Sequence, residues 1–183
     1  MKTISEVRFM TNEELREFNK DRKFCQIGFV CNDIKKTMDN YIEYLNIGPW
    51  LVLDFENKYL DNFKVNGKVI EKPYKFIVAL ANAGNIQFEL VQQVYGEVEY
   101  QDYIERRGEG LQHIKEEMTL DDIKNKIEFF KSKDIDIAQT GWFGDVDLHC
   151  IFDTEPVLNF IYEVGNNPEF DLPPDMYYIY PRE

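Results

Sequence analysis

The sequence predicts an α+β fold built from two paired βαβββ modules, whose curled sheets enclose a shared cavity. The first observation is a repeated order of elements, because a strand, a helix and three strands in residues 24–92 recur in residues 111–165. The second is that each module's sheet has one apolar side facing its helix. The other side must also be covered, so two such sheets would curl around a common space. A ferredoxin-like repeat fits less well, since it needs two helices in each module.

The repeat lies in the pattern of elements rather than in residue identity. It divides the chain into a short helical extension, a first module, a linker with a short helix, a second module and an irregular Pro/Tyr-rich tail. The boundaries are 1–23, 24–92, 93–110, 111–165 and 166–183.

The first part of the chain predicts two helices. Residues 11–20 indicate a short surface helix capped by Thr11 or Asn12. Apolar residues at helical spacing predict a second helix over 33–46, capped by Asn32 or Asp33 and ended by Gly48-Pro49. Apolar runs predict the four strands of module one, at 24–31, 50–55, 74–81 and 86–92. The polar insertion 56–73 contains Asn66-Gly67, which favours a turn.

The second part repeats this order. A short helix over 98–107 is closed by Gly108, and a capping-box pattern of Thr119 with Asp122 starts a helix over 119–133. The predicted strands of this part are 110–118, 135–140, 147–153 and 158–164.

Composition excludes several classes of protein. With 21 Lys+Arg against 34 Asp+Glu, the net charge of −13 argues against a nucleic-acid partner. The longest apolar stretches, such as 76–81, are too short to span a membrane, and residues 1–23 contain no signal-peptide run. Three cysteines without a CxxC pair predict a protein of the reducing cytoplasm.

Four polar side chains lie on strand faces opposite apolar stripes. Gln26 and His113 lie on the first strands of the two modules, and Glu89 and Glu163 lie on the last strands. If a pseudo-twofold axis relates the modules, these positions converge in one cavity. An imidazole with carboxylate and amide oxygens suits zinc, nickel, cobalt, iron or manganese. The alternative for each residue taken alone is simple exposure to solvent.

The sequence resembles the vicinal oxygen chelate superfamily, which includes glyoxalase I, methylmalonyl-CoA epimerase, extradiol dioxygenases and bleomycin-resistance proteins. The segments that carry the resemblance lie within residues 24–165, and GEGLQHI (108–114) is the most specific of them. The resemblance implies the paired βαβββ fold and a divalent metal held by Gln26, Glu89, His113 and Glu163. It also implies that Glu163 and Glu89 are the catalytic acid and base. The epimerase pattern has His first and Gln second, so this chain departs from it there.

A second departure follows His113, where the family usually has small or apolar residues. Strand alternation places Lys115 on the His113 face, beside the predicted metal. There its ammonium could pair with Glu89 or Glu163 and stand in for the cation. The alternative is a lysine at the cavity mouth that reaches water.

Other residues have weaker functional indications. Trp142 and Phe143, which follow a module-two strand, could line the cavity or serve as core or dimer contacts. His149 could approach the cavity, although a structural role is favoured. Arg106 and Arg107 are expected to pair at the surface with Glu105 or Glu109.

Two functions remain open at this stage. One is a metal-dependent isomerase, epimerase or lyase that moves a proton beside the carbonyl of a small substrate, either an acyl-CoA thioester or a hemithioacetal. The other is a non-catalytic small-molecule-binding protein of the bleomycin-resistance type, with a weakened or absent metal site. A homodimer is possible in either case.

Overall fold

The computed structural model describes residues 10–182 of the chain. Its helices, α1 to α5, are Asn12–Asn19, Ile34–Leu45, Glu99–Arg107, Leu120–Lys131 and Glu155–Leu158. Its strands, β1 to β11, are Lys23–Val30, Trp50–Glu56, Leu60–Val65, Lys68–Val69, Lys75–Ala83, Ile86–Tyr95, Gly110–Glu117, Ile137–Phe143, Asp147–Phe152, Ile161–Gly165 and Tyr177–Tyr180.

All strands join one curled, unclosed sheet in the order β11-β2-β5-β6-β1-β7-β10-β9-β8-β3-β4. The central run β2-β5-β6-β1 is mirrored by β8-β9-β10-β7 of the second module. The two modules meet where β1 and β7 pair antiparallel, with Ile27 opposite Ile114 and Gly28 opposite His113. The predicted α+β fold of paired βαβββ modules is confirmed.

Each module's helix covers the outer face of its own half-sheet. Ile34 and Met38 of α2 pack against Trp50 and Leu90 of the first module. Ile123 of α4 packs into a cluster that includes Phe152, Tyr162 and Val164 of the second. Burying each of these large side chains contributes about 1.5–3 kcal/mol relative to exposure.

Caps define the helix boundaries. Thr11 and Glu14 form a reciprocal capping box at α1, Asp33 caps α2, and Thr119 caps α4. Helix α2 ends earlier than predicted, because Asn46 adopts the left-handed conformation (φ 55°) before Gly48-Pro49 is reached.

The structure corrects three local predictions. The insertion contains a hairpin, β3–β4, which turns at Asn66-Gly67 as predicted but pairs β3 with β8 of the second module. The tail contains strand β11, which pairs with β2, so it is not wholly irregular. A one-turn helix, α5, begins at Glu155 just before β10. These features depend on distant pairing partners or on a very short segment.

Residues 1–9 of the predicted N-terminal extension lie outside the described residues. No helix within residues 10–182 is long and apolar enough to cross a membrane. The three cysteines, Cys25, Cys31 and Cys150, are free.

Candidate functional site

A cavity of about 460 Å³ lies against the concave face of the curled sheet. Its walls come from both modules and are mainly apolar. The apolar lining side chains include Leu51, Leu53, Phe55, Leu60, Phe76, Val78, Leu80, Phe143, Ile151, Phe170 and Leu172. Polar lining groups include Gln26, Gln87, Glu89, Tyr100, Lys115, Asp147, His149 and Glu163.

The four predicted site residues come together around the His113 imidazole. Its Nε2 lies 3.4 Å from Glu163 Oε2, 3.4 Å from Gln26 Oε1 and 3.9 Å from Glu89 Oε1. The imidazole is 1% exposed. Strand alternation and the pseudo-twofold arrangement therefore bring these residues together as expected.

The register of four adjacent strands explains this convergence. Gly28 of β1 lies opposite Glu89 of β6 on one side and His113 of β7 on the other. A Cβ built on Gly28 would lie 1.9 Å from His113 Cε1. The missing side chain at position 28 is thus what lets the imidazole lie across β1.

The other ring nitrogen of His113 contacts the neighbouring side chain. Nδ1 lies 3.0 Å from Gln112 Oε1, an amide oxygen that only accepts hydrogen bonds. Nε2 likewise faces an amide oxygen, Gln26 Oε1 at 3.4 Å, so either ring nitrogen can carry the proton and donate it to an amide oxygen. Burial lowers the pKa of His113, which keeps the ring neutral.

Lys115 lies inside the site rather than at its mouth. Its side chain is 10% exposed, and Nζ lies 3.1 Å from Glu163 Oε1. Lys115 is the cross-strand neighbour of Gln26 on one side and of Glu163 on the other. A Cβ on Gly165 would lie 2.6 Å from Lys115 Cε, so this glycine provides the space for the lysine.

The two carboxyl groups have different electrostatic environments. Burial raises the pKa of Glu89 to about 8, and the charge of Glu163 adds to the effect. Burial is the largest effect on Glu163 and opposes its ionisation, but the Lys115 ammonium together with His113 and His149 outweighs burial and lowers the Glu163 pKa. For Lys115 the carboxylates, Glu163 first, overcome the cost of burial and raise the pKa. The site thus holds a Lys115–Glu163 ion pair beside Glu89, whose raised pKa makes it the carboxyl group that takes up a proton more readily.

Two polar residues of β9, Asp147 and His149, also line the cavity; the sequence favoured a structural role for His149 and gave Asp147 no role. Asp147 Oδ1 is buried without a hydrogen-bond partner, and burial raises the pKa of this carboxyl group. Burial lowers the pKa of His149 to about 4. The period-two spacing of 147, 149 and 151 was the available signal, since all three residues line the cavity.

The remaining candidate residues differ in whether they line the cavity. Phe143 lines the cavity, whereas Trp142 is not among its lining residues; both belong to β8, which extends beyond the predicted strand. Arg106 and Arg107 pair with Glu155 rather than with Glu105 or Glu109.

Residues 167–172 of the tail form one wall of the cavity. Phe170 stacks on Phe143 with ring centroids 4.9 Å apart. This wall comes from a segment whose sequence predicts only irregular structure, and it brings the tail to the site.

The residues present do not fit a divalent metal as they stand. The acceptor atoms around His113 Nε2 are of the right chemical type, but Lys115 already holds Glu163 within the same cluster. Within residues 10–182, no group of three or more His, Cys, Asp and Glu side chains is arranged to hold a metal ion.

The mirrored half-sheets and the polar cluster at their junction define a protein of the paired βαβββ class. The chain belongs to the Glyoxalase/Bleomycin resistance protein/Dioxygenase superfamily, whose sequence profile matches residues 25–151. A search of curated protein sequences gives no match.

Solved structures share the fold at low sequence identity. A hypothetical protein from Bacillus halodurans C-125 is 18% identical with a TM-score of 0.57, over 84% of this chain and 100% of that one. Methylmalonyl-CoA epimerase from Mycobacterium tuberculosis is 12% identical with a TM-score of 0.52, over 78% and 86%. A mutant of 4-hydroxymandelate synthase from Streptomyces coelicolor is 12% identical with a TM-score of 0.56, over 87% of this chain and 42% of that one.

Proposed function

We propose that the protein is an isomerase, epimerase or lyase that moves a proton beside the carbonyl group of a small substrate bound in the cavity. The observation that carries this proposal is the pair of carboxyl groups on either side of His113. Glu163 is held by the Lys115 ammonium at 3.1 Å. Glu89 faces neutral His113 at 3.9 Å. Two carboxyl groups in unlike environments are suited to different tasks in proton transfer.

The geometry supports distinct roles for the two groups. Glu163 stays ionised beside Lys115, and this ion pair holds both side chains in position at the polar end of the cavity. Glu89 has no Lys or Arg nitrogen within ion-pair distance among the described residues, and burial outweighs the opposing Lys115 charge in setting its pKa, so both its protonated and its ionised forms are accessible. Glu89 is therefore the group that takes the proton from carbon and returns it.

The cavity lining supports a compact, mainly apolar substrate with one oxygenated end. Lys115 is the only Lys or Arg among the described lining residues, and Glu169 of the tail wall adds a further carboxyl group. A polyphosphate group would find little cationic support within the cavity.

Proton exchange tests this function directly. The purified protein is incubated in D₂O with each of three probes: methylmalonyl-CoA, the hemithioacetal of methylglyoxal and glutathione, and phenylpyruvate. NMR then follows deuterium entry at the carbon beside the carbonyl. We expect catalysed exchange with at least one probe, reduced at least about 100-fold by Glu89→Gln, as for loss of a general base.

Glu128→Gln, at an exposed position of α4, is the matched control and should exchange at the wild-type rate. Equal rates for wild type and Glu89→Gln would contradict the assignment of Glu89. Exchange with no probe, together with tight binding of one of them, would favour the second candidate.

The second candidate is a non-catalytic small-molecule-binding protein. The Lys115–Glu163 ion pair favours it, because the pair satisfies charges that a reaction would otherwise engage. Calorimetric binding of the same probes without deuterium exchange is its expected result.

Metal dependence and a homodimer remain predictions. The superfamily supports the first in general terms, while the position of Lys115 opposes it in this chain. Sedimentation analysis of the purified chain tests the second.

A further inference from the structure

We propose that the Lys115 ammonium replaces the divalent metal as the cation of this site and binds the oxygen on which negative charge develops. This inference rests on the proposed function and names the group that supplies its positive charge. Three observations support it: the lysine side chain is buried, the sheet leaves space for it, and its ammonium pairs with Glu163, a predicted metal ligand.

The lysine is built into the sheet. It lies on β7 between Gln26 of β1 and Glu163 of β10, and its side chain is 10% exposed. Gly165 leaves room for its Cε and Nζ atoms, which lie 2.6 and 3.0 Å from a Cβ built at that position. A lysine that reached only toward water would need no such gap.

The ammonium and a metal would compete for one carboxylate. Lys115 Nζ contacts Glu163 Oε1 at 3.1 Å, and the other oxygen, Oε2, faces His113 Nε2 at 3.4 Å. A divalent ion bound between His113 and Glu163 would therefore lie close to a fixed positive charge. Two positive charges that contact the same buried carboxylate repel each other strongly, so the Lys115 ammonium weakens any metal binding.

The positive charge of Lys115 can also stabilise the negative charge that develops on the substrate during proton transfer. When Glu89 removes a proton from the carbon beside a carbonyl, the C–H electron pair forms the C=C bond of an enolate. The carbonyl π pair then moves to oxygen. The Lys115 ammonium, which lines the cavity, donates a hydrogen bond to this oxygen. Return of the proton from Glu89 to carbon restores the carbonyl, with no oxidant or reductant.

Metal titration tests the proposal without any substrate. The full chain, purified without a metal-affinity tag and treated with a chelator, is titrated with Co²⁺ while visible absorption and calorimetry are recorded. We expect the wild type to form no stoichiometric cobalt site. Lys115→Met should bind one Co²⁺ per chain at least about 100-fold more tightly than wild type, and Lys115→Met/Glu163→Gln should lose this gain. Lys36→Met, at an exposed position, is the matched control and should behave as wild type.

Wild-type protein that binds Co²⁺ as tightly as Lys115→Met overturns the proposal. Exclusion of Co²⁺ by both proteins also overturns it, because something other than Lys115 then blocks the metal. Circular dichroism checks folding, and Lys115→Gln replaces Lys115→Met if the latter does not fold. If neither variant folds, a stoichiometric cobalt site in the wild type overturns the proposal. Deuterium exchange is measured separately, so failure of the proposed function is distinguishable from failure of this inference.

Discussion

The His113 imidazole on β7 fills the space that a side chain at Gly28, on the paired strand β1, would occupy. A Cβ at position 28 would lie 1.9 Å from the imidazole Cε1 and 2.1 Å from Nε2. The buried His113 ring can therefore lie across β1 only because residue 28 has no side chain. This relationship joins the two modules at the site itself, since Gly28 belongs to the first and His113 to the second.

Gly28→Ala is expected to displace His113 and to lower the free energy of unfolding by about 1–3 kcal/mol, the usual cost of overpacking. Urea denaturation measures the change. Gly28→Ala/His113→Ala removes the ring that the new methyl group meets. The double variant should therefore be less destabilised than the sum of the single variants, and simple additivity would contradict the steric explanation.

Arg22 and Glu116 form a part-buried ion pair, and neither residue lines the cavity. Arg22 Nε donates to Glu116 Oε1 at 2.8 Å, and the Tyr162 hydroxyl donates to Glu116 Oε2. The Glu116 side chain is 4% exposed. Arg22→Met leaves this carboxylate buried without its cation, so we expect a loss of about 3 kcal/mol in the free energy of unfolding, measured by urea denaturation at pH 7.

The control for this prediction is the pH dependence of the destabilisation caused by Arg22→Met. Burial opposes ionisation of Glu116, but the hydrogen bonds from Arg22 and Tyr162 outweigh it and lower the Glu116 pKa. The ion pair thus stabilises the fold fully above the ordinary glutamate pKa of about 4.3, and this stabilisation is lost as the pH falls through the lowered value. The difference between wild type and Arg22→Met should narrow toward acid. A difference that stays constant from pH 7 to acid would contradict this account.

The tail wall gives a prediction about binding. Phe170 stacks on Phe143 and lines the cavity, so Phe170→Ala removes both a wall and an aromatic contact. An aromatic contact between Phe170 and a probe such as phenylpyruvate is worth about 0.5–1.5 kcal/mol, so its loss should weaken the Kd measured by calorimetry roughly 2- to 13-fold. Phe129→Ala, at an exposed position on α4, should leave the Kd unchanged. Unaltered binding in Phe170→Ala would show that the tail wall does not contact the ligand.

The order of elements was predictable because hydrophobic period and caps are local properties. Asp33 and Thr119 mark helix starts, and alternation on β1, β6, β7 and β10 placed Gln26, Glu89, His113 and Glu163 on inward faces. The same alternation placed Lys115 beside His113. These inferences needed only the side-chain period of two and the repeated order of strands.

Tertiary structure decided what no local pattern contains. The hairpin β3–β4 crosses to β8, β11 pairs with β2, and residues 167–172 form a cavity wall. Strand partners and cavity walls depend on contacts between residues far apart in the chain, which single-sequence periodicity does not record. The sequence by itself thus determined which side chains face inward at the site. Only the tertiary structure decided that the Lys115 ammonium holds Glu163 there, because Gly165 of another strand provides its space.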